Sequence, residues 1–167
     1  MPNRSQPESW ASSPARRRNM QANRSQDTKP ELRVRRALHA LGLRYRVGIA
    51  PEPTLRRRAD IVFTRARVAV FIDGCFWHGC PEHGRSTFNH NADYWPEKIA
   101  GNIARDMDTS ERLERAGWRV LRFWEHEDVS AVVDSVRAAV GSGAASSAVT
   151  RKPLSNPGEP LPSPRGA

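Results

Sequence analysis

The sequence predicts an α/β fold, a three-layer sandwich around a small mixed β-sheet. Apolar, β-branched runs of strand length alternate with longer segments whose apolar residues recur at helical spacing. Their order is helix, strand, strand, strand, helix, strand, helix. A chain of 167 residues suits one domain of ordinary size with tails.

Composition favours an anionic partner and excludes a membrane-spanning protein. The formal net charge is +9, and arginine greatly outnumbers lysine, which suits a polymer of phosphates. Codon usage that favours arginine would give a similar composition. We expect a cytoplasmic protein, because no apolar run approaches a membrane span and the N-terminus lacks the apolar core of a signal peptide.

Three regions follow from composition. Residues 1–26 form a basic, mostly disordered arm whose arginines favour a plain electrostatic tether. Residues 27–140 contain every periodic segment and form the folded domain. Residues 141–167 are rich in Gly, Ala, Ser and Pro and predict a disordered tail.

The first helix begins at a capping box, in which Thr28 is the N-cap and Glu31 reaches back to it. Gly42 is the expected C-terminal stop. One apolar face lies between them: Val34, Ala37, Leu38 and Leu41.

The other elements follow from the same reasoning. A short edge strand is predicted at 44–47. Two further strands, at 59–63 and 67–72, are joined by a tight turn. A long helix at 93–116 should carry Ile99, Ile103 and Met107 on one side and end at Gly117. The last strand, at 118–124, carries the core residues Trp118 and Trp124, and the last helix spans 129–140.

The loop after the third strand contains both cysteines. Cys75, Cys80 and His83 lie close together in sequence, and His126 follows the neighbouring last strand. Four such ligands suit a structural Zn²⁺ site, which would fasten an otherwise long irregular loop. The alternative is two buried free thiols with unrelated histidines; His78 and His90 could each replace a ligand.

Asp60 lies in a strand entered from three arginines, and this predicts a Mg²⁺ ligand. Its alternative is an ion pair with Arg57 or Arg58. Asp73 ends the adjacent strand, as in nucleases with an Asp/Glu-x-Lys pattern, but Cys75 stands where the lysine would be. We assign Asp73 no role.

His78 could act as a general acid or base in place of that lysine, oriented by a carboxylate such as Asp106. A structural or zinc-binding histidine is the alternative. Phe76, Trp77 and Trp95 could enter a base stack, where a mismatch would lower the cost of unstacking. Alternatively, Trp95 and one of the other two line the core.

Together these residues resemble the very short patch repair (Vsr) mismatch endonucleases, which are similar in fold to the PD-(D/E)xK restriction nucleases. The resemblance covers about residues 18–125 and rests on motifs in one order: Arg18-Asn19-Met20, Arg58-Ala59-Asp60, Asp73-Gly74-Cys75-Phe76-Trp77-His78, Tyr94-Trp95-Pro96-Glu97-Lys98-Ile99, Asn102 with Arg105-Asp106, and Gly117-Trp118-Arg119-Val120.

The resemblance implies roles for individual residues. Asp60 and the main-chain carbonyl of Ile72 would bind Mg²⁺, and His78 would be the general acid or base. Asp106 and Glu31 would support His78 or the metal-bound waters. The residues implied to contact DNA are Met20, Phe76, Trp77, Trp95, Lys98, Asn102 and Arg105, with Met20 inserting from the minor-groove side.

The implied activity is strand-specific, Mg²⁺-dependent nicking 5′ to the thymine of a T:G mismatch in duplex DNA. Such mismatches arise from deamination of 5-methylcytosine, which implies a functional link to a cytosine-5 methyltransferase and to repair proteins. We expect a monomer that associates with the nucleoid when on DNA. The alternatives are a restriction-type endonuclease of the same fold and a non-catalytic, zinc-stabilised DNA-binding module.

Overall fold

The computed structural model describes residues 26–84 and 94–142 of the chain. Three helices and four strands occur there in the predicted order. They are α1 (Lys29–Ala40), β1 (Arg46–Ile49), β2 (Ala59–Phe63), β3 (Val68–Asp73), α2 (Tyr94–Arg115), β4 (Arg119–Trp124) and α3 (Val129–Gly141). The expectations for the arm, for Met20, for His90 and for the tail beyond residue 142 fall outside the described residues.

The sheet is mixed and has the order β1-β2-β3-β4. β1 pairs with β2 and β2 with β3 in antiparallel fashion, whereas β3 and β4 are parallel and pair Asp73 with Trp124. The start of β2, the end of β3 and the end of β4 therefore lie at one edge of the sheet. This topology brings Asp60, the loop after Asp73 and the residues after Trp124 together.

Two hydrophobic cores lie on opposite faces of the sheet. One contains Val34 and Leu38 of α1 and Val132 and Val136 of α3, packed on Ile61, Val70, Leu121 and other strand residues. The other places Leu113 of α2 on Val62, Ala69 and Val120, with Trp118 beside them. The helices thus cover both faces, which explains why β3 and β4 are buried along nearly their whole length.

The start of α1 forms a variant of the expected capping box. Thr28 is the N-cap, and its hydroxyl accepts from the N–H of Glu31 at 3.5 Å. The Glu31 carboxylate reaches back to the N–H of Asp27 at 3.0 Å and to the Thr28 hydroxyl at 2.8 Å, rather than to the Thr28 N–H. Gly42, with φ of 77°, follows the end of the helix as predicted.

Three expectations about local structure were wrong. The edge strand begins two residues later than predicted, at Arg46. Leu41 is 50% exposed because it follows the last turn of α1, and Met107 is 38% exposed. The buried face of α2 instead runs through Ile103, Asp106 and Leu113, so a carboxylate occupies the buried position next to Met107. None of the helices in the described ranges has both the length and the apolarity to cross a membrane.

Candidate active site and metal cluster

The sheet edge that joins β2, β3 and β4 opens into a cavity of about 1100 Å³. Its walls come from the start of α1, the strand ends, the loop after β3 and the middle of α2. Among the titratable residues that line it are Glu31, Asp60, Asp73, His78, Asp106 and Arg122. The cavity thus collects carboxylates, an imidazole and a guanidinium at one place.

His78 and Asp106 form a close pair within this cavity. Nδ1 of His78 lies 2.5 Å from Oδ2 of Asp106, and the His78 side chain is 27% exposed. A carboxylate at Nδ1 favours the tautomer or charge state that carries a proton there. The opposite nitrogen, Nε2, is then available for proton exchange with a substrate.

A buried arginine that the sequence analysis did not single out completes this network. Arg122 donates from Nε and Nη2 to both oxygens of Asp73, at 2.9 and 2.7 Å. Its Nη2 also lies 2.8 Å from Oδ1 of Asp106. Burial alone would lower the pKa of Arg122, but the charges of Asp73 and Asp106 outweigh burial and raise it. Arg122 therefore stays charged and neutralises its partners.

Asp60 is partly buried at the start of β2. The N–H of Ile72 donates to its Oδ2 at 2.7 Å. Burial raises the pKa of Asp60 to about 7, the Ile72 hydrogen bond opposes this shift, and the charges of Glu31 and Asp73 add to it. Within the described ranges no arginine pairs with Asp60, because Arg57 and Arg58 donate to other groups. Because a nearby positive charge favours the ionised form of a buried carboxylate, Asp60 is suited to binding a cation.

The Ile72 carbonyl lies on the same side of β3 as Asp60. A strand residue directs its N–H and its C=O toward the same neighbouring strand, and the Ile72 N–H is directed at Asp60. A hard cation held by one carboxylate, one carbonyl, waters and phosphate oxygens suits Mg²⁺. The residues present therefore fit the ion.

Glu31 is only 3% exposed and close enough to Asp60 to affect its pKa. Besides its contacts at the α1 cap, its Oε2 accepts from Nη2 of Arg35 at 3.2 Å. Glu31 thus combines a capping role with a place in the cavity wall.

Phe76, Trp77 and Trp95 form one ring cluster beside the cavity. Their centroids are 5.1, 5.2 and 5.9 Å apart, all in edge-to-face geometry. Trp95 is 8% exposed, whereas Phe76 and Trp77 are half-buried and line the cavity. The cluster therefore has a buried base and a partly exposed tip.

Residues of α2 support this loop and add positive charge. Asn102 donates from Nδ2 to the Trp77 carbonyl at 2.9 Å and accepts from Arg105 at 3.0 Å. Arg105 lines the cavity together with Arg56, Arg57 and Arg58, and Lys98 is exposed nearer the start of the helix. A cavity entrance with this positive charge suits the phosphate backbone of a nucleic acid.

A second cluster lies beside the active-site loop and consists of Cys75, Cys80, His83 and His126. Their candidate ligand atoms all lie within 4.8 Å of one another. Sγ of Cys75 is 3.1 Å from Nδ1 of His126, which is 3.2 Å from Nδ1 of His83. Sγ of Cys80 is 3.9 Å from each of these two nitrogens.

These separations suit a tetrahedral metal ion. Zinc bound to two sulfurs and two nitrogens would place the ligand atoms about 3.3 to 3.8 Å apart. Nε2 of His126 lies 3.5 Å from the Glu82 carboxylate, as is common for metal-binding histidines. Burial and the neighbouring Cys80 raise the pKa of Cys75 to about 12, so its thiolate requires a cation. The site can hold a metal ion, and the two cysteines form no disulfide.

Asp73, His78 and Asp106 also meet the distance criterion for a metal cluster. Arg122 already occupies both carboxylates with charged hydrogen bonds. A second cation there would face the buried guanidinium directly. This group is therefore better described as an arginine-centred network than as a metal site. His78 belongs to it and not to the Cys/His cluster.

Two contributors were missed from the sequence. Arg122 stands among apolar residues of β4, and its side chain is buried against the Phe71 ring and two carboxylates, one of which belongs to Asp106 of α2. Glu125 accepts from the N–H of Cys75 at 2.8 Å and so holds the start of the loop. The position of Glu125 beside His126 was the available signal.

Comparisons with known proteins identify relatives of this chain. The family described as DNA mismatch endonuclease Vsr matches residues 11–83. "Type II nicking enzyme V.NaeI" of Lentzea aerocolonigenes is 51% identical over 127 residues, 72% of this chain and 76% of the relative. "Type II nicking enzyme V.NmeDIP" of Neisseria meningitidis serogroup C is 42% identical, over 75% of this chain and 85% of the relative. "DNA mismatch endonuclease Vsr" of Escherichia coli (strain K12) is 38% identical, over 66% and 69%.

Proposed function

The chain belongs to the Vsr family of DNA nicking endonucleases, and from this premise we propose that it hydrolyses one strand of duplex DNA with the help of Mg²⁺. The observation that carries the proposal is the meeting of Asp60, the His78–Asp106 pair and the ring cluster in one arginine-rimmed cavity. A purely structural DNA-binding module would not need an oriented imidazole beside a carboxylate whose ionisation is unfavourable.

Asp60 and the Ile72 carbonyl would hold Mg²⁺, which when bound supplies Lewis-acid stabilisation of the phosphoryl group and an activated water. His78 exchanges a proton through Nε2 with the attacking water or the leaving oxygen. Asp106 keeps Nδ1 protonated and the ring oriented. Glu31 holds the start of α1 beside Asp60 and would support the metal-bound waters.

Zn²⁺ in the Cys75, Cys80, His83 and His126 cluster would fix the loop that carries His78. The cluster lies on either side of Phe76, Trp77 and His78 in sequence and ties them to the end of β4. Arg105, Asn102 and Lys98 would contact the DNA backbone beside the loop. Met20 would contact DNA from the minor groove, which a deletion of residues 1–25 tests.

Two targets are candidates, and they differ in base pairing. A T:G mismatch is supported by the family description and by the partly exposed tip of the ring cluster, which could enter a weakened base stack. The second target is a defined site in fully paired DNA, as in the restriction-type alternative. The names of the more similar relatives favour it, because they are Type II nicking enzymes. The two agree if the substrate is a T:G mismatch within a defined flanking sequence.

A cleavage panel separates these targets. Duplexes with T:G, T:A or C:G at one position, each with varied flanks and a different label on each strand, are incubated with Mg²⁺. Cutting of only the T strand of T:G duplexes supports the mismatch proposal. Nicking of paired duplexes supports the site-specific alternative, and double-strand breaks contradict nicking altogether.

A matched pair of variants tests the site assignment. Asp60→Ala should abolish cutting and leave DNA binding intact. Asp108→Ala removes an exposed carboxylate of α2 that pairs with Arg57 and Arg112, and should leave cutting nearly unchanged. Full activity of Asp60→Ala would contradict the proposed metal ligand.

A further inference from the structure

Arg122 is a buried cation that joins two carboxylates of the cavity. The side chains of Arg122, Asp73 and Asp106 are 7%, 5% and 12% exposed. The guanidinium also lies over the Phe71 ring, with Cζ 4.6 Å from the ring centroid. Contacts to two carboxylates and an aromatic face leave the side chain a single orientation.

The two oxygens of Asp106 have different partners. Oδ1 lies 2.8 Å from Nη2 of Arg122, and Oδ2 lies 2.5 Å from Nδ1 of His78. Rotation of the Asp106 carboxylate would break both contacts at once. The direction from which Asp106 meets His78 is therefore determined by Arg122.

Asp73 fixes the guanidinium in turn. Two parallel hydrogen bonds from Nε and Nη2 to one carboxylate form the bidentate geometry that only arginine supplies. Asp73 lies in β3 and Arg122 in the adjacent β4, both within the paired part of the sheet. Contacts thus run from Asp73 through Arg122 and Asp106 to His78. The orientation of the imidazole therefore depends on the geometry of the sheet.

We propose that Arg122 is a positioning residue, anchored by Asp73, that fixes Asp106 against Nδ1 of His78 and so selects the ring orientation and tautomer used in strand cleavage. This inference rests on the proposed function of His78. Stability alone explains the network poorly, because buried ion clusters are often no more stabilising than apolar residues of similar volume. A positioning role accounts for its place behind the imidazole.

The first test compares two arginines of β4. Arg122→Lys keeps the charge but cannot bridge both carboxylates with the same fork. We expect single-turnover nicking to fall about 10- to 100-fold, as for a misplaced catalytic group, with an unchanged Kd for DNA measured without divalent cations. Arg119→Lys is the matched control, because Arg119 donates to Ala139 and Ser142 at the far end of the strand; it should nick at nearly the wild-type rate.

A double variant addresses folding. Arg122→Met with Asp73→Asn removes one charge of each sign and leaves Asp106 in contact with His78, so the melting temperature should fall less than that of Arg122→Met alone. Nicking should still be about 10- to 100-fold slower. A folded double variant or Arg122→Lys that nicks within about twofold of the wild-type rate, well below that expected loss, would overturn the proposal.

A spectroscopic readout separates this inference from the proposed function. In ¹⁵N-histidine spectra, the neutral form of the His78 ring should carry its proton on Nδ1, and Arg122→Lys, which leaves Asp73 in place 3.7 Å from Nδ1, should shift it partly to Nε2. His78→Gln assigns the signal. An identical tautomer in both proteins would overturn the inference even if no DNA is cut, whereas a wild-type protein that cuts no duplex would refute the proposed function alone.

Discussion

The backbone N–H of Ile72 donates a 2.7 Å hydrogen bond to Oδ2 of Asp60, linking the end of β3 to the start of β2. Within the described ranges this is the only hydrogen bond that the Asp60 carboxylate accepts, and it does not offset the burial of the carboxylate, whose pKa is raised to about 7. The folded structure therefore makes ionisation of Asp60 unfavourable.

The first prediction concerns pH and stability. Because the native pKa of Asp60 lies above its unfolded value of about 3.9, the native state binds more protons between the two values. Stability should thus fall as pH rises from about 4 through 7 in a chelator. Asp60→Asn, which can still accept from Ile72, should remove this fall and stabilise the protein at about pH 8 by roughly 1 to 3 kcal/mol.

Urea unfolding at several pH values measures the effect. Asp108→Asn is the control, since the Asp108 side chain is 50% exposed and should not change the pH profile. A parallel pH dependence in Asp60→Asn and wild type would show that Asp60 ionises without cost.

The second prediction concerns the Cys/His cluster. Purified protein should contain about one zinc per chain, and Cys75→Ser should lose it. Because a metal that binds only the native state stabilises it, removal of zinc should lower Tm by roughly 10 °C. Metal analysis and thermal unfolding with and without a zinc chelator measure both effects.

His39→Ala is the matched control for zinc, because His39 is exposed near the end of α1, away from the cluster. It should retain the metal. Protein prepared without chelators that contains no zinc would contradict the prediction.

The third prediction concerns the His78–Asp106 pair. His78→Ala and Asp106→Asn should each slow nicking by about 10²- to 10⁴-fold, because the 2.5 Å contact makes one functional unit of them. The double variant should be little slower than His78→Ala, since the loss is shared. Single-turnover rates in a double-mutant cycle test this, and additive losses would show that the residues act independently.

The fourth prediction separates the tip of the ring cluster from its base. Trp77→Ala, at a half-buried ring, should reduce nicking and target discrimination with little loss of stability. Trp95→Ala, at a ring that is 8% exposed, should cost about 3 to 5 kcal/mol of stability. Cleavage ratios between substrate and paired duplexes, together with urea unfolding, measure both. Equal stability losses would indicate that both rings belong to the core.

Local sequence patterns sufficed for much of the fold. β-branched runs predicted β2 within its observed bounds, and Gly42 and Gly117, at φ of 77° and 80°, marked the ends of two helices. Met107 was assigned to the wrong face because apolar periodicity assumes an apolar core. At that turn of α2 the buried neighbour is Asp106, whose cost of burial is met by Arg122.

The sequence by itself determined the order of the elements, the family resemblance and the residues able to bind metals or act as acids and bases, because these depend on residue type and local spacing. Only the tertiary structure decided how those residues combine. The parallel pairing of β3 with β4 places Asp73 beside Arg122, and the cover of α2 buries them with Asp106. Asp73, to which the sequence patterns assigned no role, thereby anchors the arginine behind His78. Charges that are buried in one cavity need partners, and only folding brings those partners together.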